Sequence, residues 1–537
     1  MTTPSQLVQL ISDRFSTNVP LLLWGTDDAI KLELKPYLQP FERVLAMREV
    51  NALLSPGDEV LEEYGFLIVH TKRPEADFID RLTYWQRAGR SVMRPTVQKS
   101  LELTQNGLDD VETRREFHNA RRLRYGPHDI HEYRGKFFPQ LVRSLITIAG
   151  TSDGAVVLDP MCGSGTTPCE ALAFGRTALC ADLNPLSVLI SSVKAGVVLE
   201  SPTRFYKTLA RHLDSLRFKP IPLDKVWSEH DLDYLMRWFA PAALQDLAGI
   251  VSEIRGIRSR FYREFMFVGL SNCIRGVSWQ KDTDLRVRKE VRPYTPGLAI
   301  ERFRKEIEEQ RSRIYPYLCL LPPRKRKPTL VVAQGNSVDV ATLFGGYRGR
   351  VDLLVTSPPY ATALPYLDTD RLSLIVLGLL PHKEHRNVEA YMVGTREVTE
   401  SERTASWKEY CRRKKELPRN IQTLIDSIAD ANHGDGVGFR RRNLPALLGR
   451  YFLSMRDAMR SALVLMKPGA RAFYVVGNNS TEVQGTKVDI PTDMLLFEIA
   501  ATVGWKQEEL INMELLPSRD IFRENRGSKE TILCLRA

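Results

Sequence analysis

At 537 residues the chain exceeds the length at which a single core stops growing, so two or three structural units around one main domain are expected. Its 43% hydrophobic and 26% charged residues are those of a globular protein, and the longest apolar run, Leu372 to Leu380, is too short to span a bilayer, so no membrane partner is expected. The net charge of +11 favours a polyanionic partner, because neutralising phosphates releases condensed counterions.

The basic residues gather in four groups: Arg114, Arg115, Arg121, Arg122 and Arg124; Arg286, Arg288, Lys289 and Arg292; Arg311, Arg313 and Arg324 to Lys327; and Arg412 to Lys415 with Arg440, Arg441 and Arg442. Any one of them reads equally well as a solvated face. The first residues lack the basic start and apolar stretch of a secretory signal, and the seven cysteines are scattered, which predicts a reduced, cytoplasmic protein.

In chain order, residues 1–100 carry short apolar runs, Val19 to Trp24, Arg43 to Met47 and Gly65 to His70, which predict a small N-terminal α/β unit without readable chemistry. Leu101 to Arg124 is rich in charge and predicts a linker or surface helix. From Ala155 strand and helix alternate: Val156 to Leu158 strand, Pro168 to Phe174 helix, Thr177 to Ala181 strand, Ser187 to Ala195 helix. That alternation predicts a parallel sheet with crossover helices. A helical insertion at 200–328 interrupts it. The sheet resumes at Leu330 to Val332 and Val351 to Val355, pauses for a second, basic insertion at 382–450, and finishes with Arg471 to Val476 after a Lys467-Pro468-Gly469 turn and with Glu530 to Leu535.

The sharpest local signal is Val157-Leu158-Asp159-Pro160-Met161-Cys162-Gly163-Ser164-Gly165-Thr166-Thr167, a strand ending in an acid, then a glycine turn, then a helix. Gly163 and Gly165 allow tight-turn angles and close approach of backbone to a ligand. Asp182 ends the next strand, where a carboxylate can take both hydroxyls of a ribose. Pro168 stands where a dinucleotide fingerprint needs its third glycine, which argues against a nicotinamide cofactor.

The Asp159 to Thr167 run and Ala181-Asp182-Leu183-Asn184-Pro185 resemble motifs I and II of the S-adenosylmethionine-dependent amino-methyltransferases of nucleic acids. Thr356-Ser357-Pro358-Pro359-Tyr360, after a short apolar strand, resembles the Ser/Asp/Asn-Pro-Pro-Tyr/Phe tetrapeptide of the same family. Upstream, His128 to Pro139 resembles motif X, which closes over the methionine end of the cofactor. The resemblance implies a Rossmann-like methyltransferase fold, α/β with a mostly parallel seven-stranded sheet. It also implies S-adenosyl-L-methionine as cofactor, held by Lys136, Phe137, Asp159, Cys162, Gly163, Gly165, Thr166, Asp182 and Asn336. Asn336, in Gln334-Gly335-Asn336-Ser337, stands where the family usually has Gly-Asp beside the adenine ring. The Val475 to Asn479 strand end resembles a later motif that lines the base pocket, although loop-forming asparagines explain it almost as well.

The chemistry accounts for the residue types. The lone pair of an exocyclic amine is delocalised into the base, so fixed acceptors must take its N–H protons and draw nitrogen towards tetrahedral geometry. Ser357 Oγ and the Pro358 carbonyl suit this, the two prolines Pro358 and Pro359 restrict the turn, and Tyr360 offers a face for a base rotated out of the duplex. No covalent intermediate and no separate general base are required. Serine at the first position resembles the subgroup acting on N4 of cytosine; N6 of adenine is the alternative, followed by an amino group of structured RNA and by a non-catalytic DNA-binding subunit. A cytosine-C5 mechanism is disfavoured because Pro168-Cys169 lies in the cofactor helix and not after the catalytic strand. His128 and His131 read as surface or capping histidines, and no metal is expected.

Six segments follow: 1–100, the N-terminal unit; 101–199, motif X and the cofactor half; 200–328, the helical insertion; 329–381, the catalytic half; 382–450, the basic insertion; 451–537, the end of the sheet. The cofactor half precedes the catalytic half, which resembles the alpha or gamma order of the family's motifs and excludes the beta order. One of the two insertions is expected to read double-stranded DNA. By analogy the setting is a bacterial restriction-modification or phage-defence system, with a cognate subunit as a further partner.

Overall fold

The computed structural model describes residues 29–63, 65–105, 123–133, 138–281, 288–324, 326–361, 366–395, 398–432, 438–483, 486–514 and 530–537, together with Gln6. The expected run Val19 to Trp24 lies outside them, as do most of Leu101 to Arg124 and residues Lys136 and Phe137.

The N-terminal unit is a five-stranded antiparallel sheet. Its strands are β1 (Ala29–Leu34), β2 (Glu59–Glu63), β3 (Phe66–His70), β4 (Trp85–Gly89) and β5 (Arg94–Pro95), in the order β2-β3-β1-β4-β5. Helix α1 (Pro40–Leu53) packs Leu45, Ala46, Val50 and Leu53 inward, so the run Arg43 to Met47 is helix: its apolar residues recur at helical spacing once Phe41 and Val50 are counted. The expected linker is also corrected at its start, because Leu101 to Thr104 are buried.

The main domain is a seven-stranded sheet, β13-β14-β10-β9-β6-β7-β8. Its chain order runs through α2 (Pro139–Ile148), β6 (Val156–Asp159), α3 (Thr166–Ala173), β7 (Thr177–Asp182) and α4 (Pro185–Val197). The four longest helices of the first insertion follow, α5 (Pro202–Ser215), α6 (Pro241–Arg255), α7 (Arg260–Val277) and α8 (Leu298–Leu320). Then come β8 (Leu330–Gln334), β9 (Val351–Thr356) and α9 (Tyr366–Val376), and from the second insertion α10 (Glu400–Arg413) and α11 (Arg419–Ala431). The chain ends on α12 (Phe439–Leu465), β10 (Met466–Gly477), the hairpin β11 (Asn479–Val483) and β12 (Thr486–Ile490), α13 (Thr492–Thr502), β13 (Lys506–Met513) and β14 (Glu530–Arg536).

Local sequence accounts for these elements. Proline at the first turn starts α2, α4, α5 and α6, where its missing N–H would have no partner anyway. In α5 the buried side chains are Phe205, Leu209 and Leu213, one stripe at i, i+4, i+8. Thr399 and Glu402 close a capping box on α10. The expected turn at Lys467 to Gly469 falls within β10, where the register against β9 shifts between Met466 and Arg471 and Gly469 takes φ +77°.

The topology positions the site. Strands β10, β9, β6, β7 and β8 are mutually parallel, and β14 alone runs antiparallel between β10 and β13. From β6 the chain moves outward through β7 to β8; from β9 it moves the other way. The crevice beyond the carboxyl ends of β6 and β9 is therefore a topological switch point, the place where open α/β sheets bind ligands. Because β14 is antiparallel, its first residue, Glu530, lies at that same edge, paired with Gly477 of β10.

The first insertion braces this domain. Asn272 Nδ2 and Gln310 Nε2 both donate to the Ile130 carbonyl, at 2.8 and 2.9 Å, and His131 Nε2 lies 2.9 Å from Ser271 Oγ. The helical insertion thus holds the segment that precedes α2.

Candidate active site

The loop after β6 is fixed on both sides. Cys162 N–H donates to the Ala181 carbonyl at 3.0 Å and Gly165 N–H to the Cys162 carbonyl at 2.7 Å, while Ser191 Oγ of α4 donates to the Gly163 carbonyl at 2.8 Å. Gly163 has φ +49°, and a Cβ there would stand 3.0 Å from the Tyr133 ring. Gly165 has φ +78°, and a Cβ there would meet Ser191 Cα at 2.7 Å. Both positions thus demand glycine for angle and for space.

Asp182 turns back onto this loop. Its Oδ2 accepts from Gly163 N–H at 2.8 Å and its Oδ1 from Asn184 N–H at 2.9 Å, leaving each oxygen further lone-pair capacity towards the cleft. Burial pushes its carboxyl up to about 6. Beside it, where Gly335 N–H donates to the Asp182 carbonyl at 3.0 Å, Asn336 caps the turn after β8, its Oδ1 accepting from Val338 N–H at 3.2 Å and its Nδ2 donating to the Tyr391 carbonyl at 3.3 Å.

Ser357, Pro358, Pro359 and Tyr360 leave the end of β9 and form the facing wall. The Tyr360 phenol donates to Glu530 Oε1 at 2.5 Å. Its ring fills the space beside Gly477, where a Cβ would come within 2.7 Å of it. Gly394, at φ +78°, lies on the other side, and a Cβ there would meet the Tyr360 carbonyl at 2.8 Å. Asn479 Nδ2 donates to the Ala361 carbonyl at 2.5 Å, tying the end of the tetrapeptide to β11.

The structure brings Cys162, Gly163, Thr166, Asp182 and Asn336 into one cleft with Ser357 to Tyr360. It places two of the expected cofactor residues elsewhere. Asp159 is 1% exposed and lies under the cleft, its Oδ1 accepting from Thr356 Oγ1 at 2.7 Å and from Met161 N–H at 3.2 Å. Gly165 is absent from the lining because it faces α4. Their part is to shape the loop. Lys136 and Phe137 fall outside the described residues, so only Tyr133 and Phe138 of that stretch are seen lining the cleft.

Sequence reasoning did not single out Tyr133, Tyr391, Met392, Val393 or Glu530, all of which line the cleft. Tyr133 stood inside the motif X stretch, so a signal was present. Tyr391 to Val393 come from the basic insertion, which supplies a wall of the site as well as surface charge. The reading of His128 as a surface or capping residue is corrected: it is 1% exposed, and its Nε2 lies 2.7 Å from Glu170 Oε1, with Arg143 donating to Glu170 Oε2 at 3.2 Å. Burial raises the Glu170 carboxyl, but His128 and Arg143 outweigh it and the net direction is down. The grouping locks the motif X segment and α2 onto the cofactor helix.

The basic groups also divide. Arg412 pairs with Glu409 at 2.6 Å, Arg413 with Glu416 at 2.8 Å and Asp457 at 2.9 Å, and Lys414 with Asp426 at 2.9 Å. Lys289, by contrast, is exposed, its Nζ 4.8 Å from the centre of the Trp279 ring, and a bridge joins it to Gln280 at the rim of a polar cleft that shares Tyr133 with the first.

Residues 131–188, which contain the β6 loop and Asp182, match the family model UPF0020 (RMKL-like, methyltransferase domain). Over 387 residues the chain is 22% identical to the type II methyltransferase M.MvaI of Kocuria varians, covering 69% of this chain and 80% of that one. It is 21% identical over 425 residues to M.BsoBI, a type II methyltransferase of Geobacillus stearothermophilus, covering 72% and 80%. A stretch of 67 residues, 12% of each chain, is 39% identical to the type II methyltransferase M.MjaII of Methanocaldococcus jannaschii. The chain is thus similar to type II DNA methyltransferases over most of its length and to a methyltransferase family model around the β6 loop.

The cleft has features that suit S-adenosylmethionine, the cofactor that the sequence motifs imply. Glycine backbone at positive φ is bare at the loop, a carboxylate stands beside it, and aromatic side chains, Tyr133 and Phe138, close one end. Among the described residues no group of three or more His, Cys, Asp or Glu could hold a metal, and no helix is long and apolar enough to cross a membrane.

Proposed function

We propose that this methyltransferase modifies an exocyclic amino group in double-stranded DNA at a specific sequence, with N4 of cytosine as the target. The observation that carries the reading is the single cleft at the switch point, in which Ser357 to Tyr360 face the loop of Gly163 and the carboxylate of Asp182. The likeness to type II methyltransferases over about two thirds of the chain supports site-specific modification, and a restriction-modification or phage-defence setting with a cognate subunit follows by analogy. A cytoplasmic, DNA-bound location goes with it.

In this reading Asp182 accepts the ribose hydroxyls of the cofactor, Gly163 and Thr166 border its methionine end, the role that the motif X resemblance also implies for Lys136 and Phe137, and Asn336 lies on the adenine side. When bound, S-adenosylmethionine supplies an electrophilic methyl group. Ser357 Oγ and the Pro358 carbonyl accept the N–H protons of the target amine and hold its lone pair out of conjugation. Pro359 keeps that turn in one conformation, so little entropy is lost when the amine docks. The Tyr360 ring stacks on the extruded base.

The test is transfer of tritiated methyl to unmethylated genomic DNA, followed by nucleoside digestion and mass spectrometry, with Ser357→Ala and Tyr360→Ala alongside. N4-methylcytosine lost in both variants is the expected result. N6-methyladenine would overturn the choice of base while keeping the amino-group chemistry, and label that RNase but not DNase releases would overturn DNA as the substrate.

A further inference from the structure

We propose that Glu530 is a positioning residue for Tyr360, and that the phenol of this tyrosine, not only its ring, is part of the machinery; the inference rests on the amino-methyltransferase reading above. Three features of the fold converge on this pair. The antiparallel β14 starts where the parallel strands end, which brings a residue 170 positions downstream of Tyr360 into the cleft. Its register partner is Gly477, and the missing side chain there is what admits the Tyr360 ring. The Glu530 carboxylate then accepts the phenol proton at 2.5 Å.

A flat ring lying on an extruded base has a motion that stacking alone controls weakly, sliding parallel to the base plane through small changes in χ1 and χ2. Gly477 on one side and Gly394 on the other bound the ring and its backbone sterically, but glycines set only a limit of closest approach. A hydrogen bond to a carboxylate on a β-strand fixes the far end of the ring, and charge-assisted bonds of this kind are the stronger class. Burial raises the Glu530 carboxyl, and the phenol works against that rise by stabilising the ionised form. The tetrapeptide pattern itself accepts tyrosine or phenylalanine at its fourth position, so the Glu530 contact gives this chain a requirement that the pattern does not contain.

The experiment compares steady-state methyl transfer to DNA by wild type, Glu530→Ala, Glu530→Gln, Tyr360→Phe and the double variant Tyr360→Phe/Glu530→Ala. Glu530→Ala and Tyr360→Phe are each expected to lower kcat by about tenfold, and the double variant by no more than either alone, since both remove one hydrogen bond. Glu530→Gln, which keeps an acceptor oxygen, is expected to recover most of the loss. Losses that multiply in the double variant, a Glu530→Gln as poor as Glu530→Ala, or a Glu530→Ala as active as wild type would each overturn the proposal. A second measurement needs no substrate: with 3-fluorotyrosine incorporated at position 360, the fluorine resonance reports ionisation of the phenol. A neighbouring carboxylate disfavours the phenolate, so the resonance should titrate at higher pH in wild type than in Glu530→Ala. Equal titrations would overturn the contact, even if the wild-type enzyme methylated no DNA and the functional reading itself failed.

Discussion

Thr356 Oγ1 donates to Asp159 Oδ1 at 2.7 Å, so the residue before the Ser-Pro-Pro-Tyr tetrapeptide is bonded to the residue that ends β6. Both side chains are buried, at 0% and 1% exposure, and they join β9 to β6 just below the switch point. The two halves of the cleft are thereby held in register by a polar bond inside an apolar sheet. Thr356→Val keeps the shape of the side chain but leaves a buried carboxyl oxygen with one donor fewer. It should destabilise the fold by about 1–3 kcal/mol in urea denaturation and lower kcat for methyl transfer, because Ser357 is the next residue. Unchanged stability would mean that the Met161 N–H and the Thr167 hydroxyl together satisfy Asp159.

Burial pushes the Asp159 carboxyl up to about 7, from an ordinary value of 3.8, against the opposing pull of the Thr356 and Met161 hydrogen bonds. A group raised in the folded state favours folding most below its unfolded pKa, and that advantage fades as pH rises through the folded value. The window therefore runs from about pH 4 to about pH 7, with an upper bound of about 4 kcal/mol. Asp159→Asn keeps the acceptor oxygen and never ionises. Its melting temperature should overtake that of wild type as pH is raised from about 5 to about 8. Parallel curves for the two proteins across that range would show that Asp159 does not titrate there.

The parts of the fold legible in the sequence were those set by local pattern. The apolar runs at 156–158, 177–181 and 351–355 have the length and flanks of parallel strands, and each is one. The glycine loop and the Ser-Pro-Pro-Tyr turn were legible because their chemistry depends on neighbouring residues. Glu530 was not, since its part in the site comes from β14 pairing antiparallel with β10, a property of the assembled sheet. Tyr391 to Val393 were missed for a related reason: a charged insertion reads as surface until the backbone turn at Gly394 is seen to fold it over Pro359. His128 was misjudged because a histidine's burial is decided by its partner, here Glu170, 42 positions away.

Gly477 offers a test of the cleft wall that leaves the sheet alone. Its φ is not in the left-handed region, so alanine is tolerated by the backbone and gains slightly in strand propensity. A Cβ there would nevertheless stand 2.7 Å from the Tyr360 ring. Gly477→Ala should keep the wild-type melting temperature to within a few degrees while lowering kcat at least about tenfold, through displacement of the ring. Wild-type turnover in this variant would show that the ring has room to yield.

The charge of the surface predicts how DNA binding responds to salt. Each phosphate neutralised by a protein cation contributes a slope of about −0.9 in log K against log salt. Arg412, Arg413 and Lys414 already sit on Glu409, Glu416, Asp457 and Asp426, so a phosphate would have to displace a carboxylate that is held in place. Lys289 is exposed and bridged to Gln280, which lines the polar cleft that includes Tyr133, with an aromatic ring beneath it and no carboxylate against it among the ion pairs of the described residues. Lys289→Ala should therefore reduce the magnitude of the slope by about one, and the pair Arg412→Ala/Lys414→Ala should leave it unchanged. The opposite pattern in a fluorescence-anisotropy salt titration would move the phosphate-binding face from the first insertion to the second, where the same surface already supplies Tyr391 to the cleft.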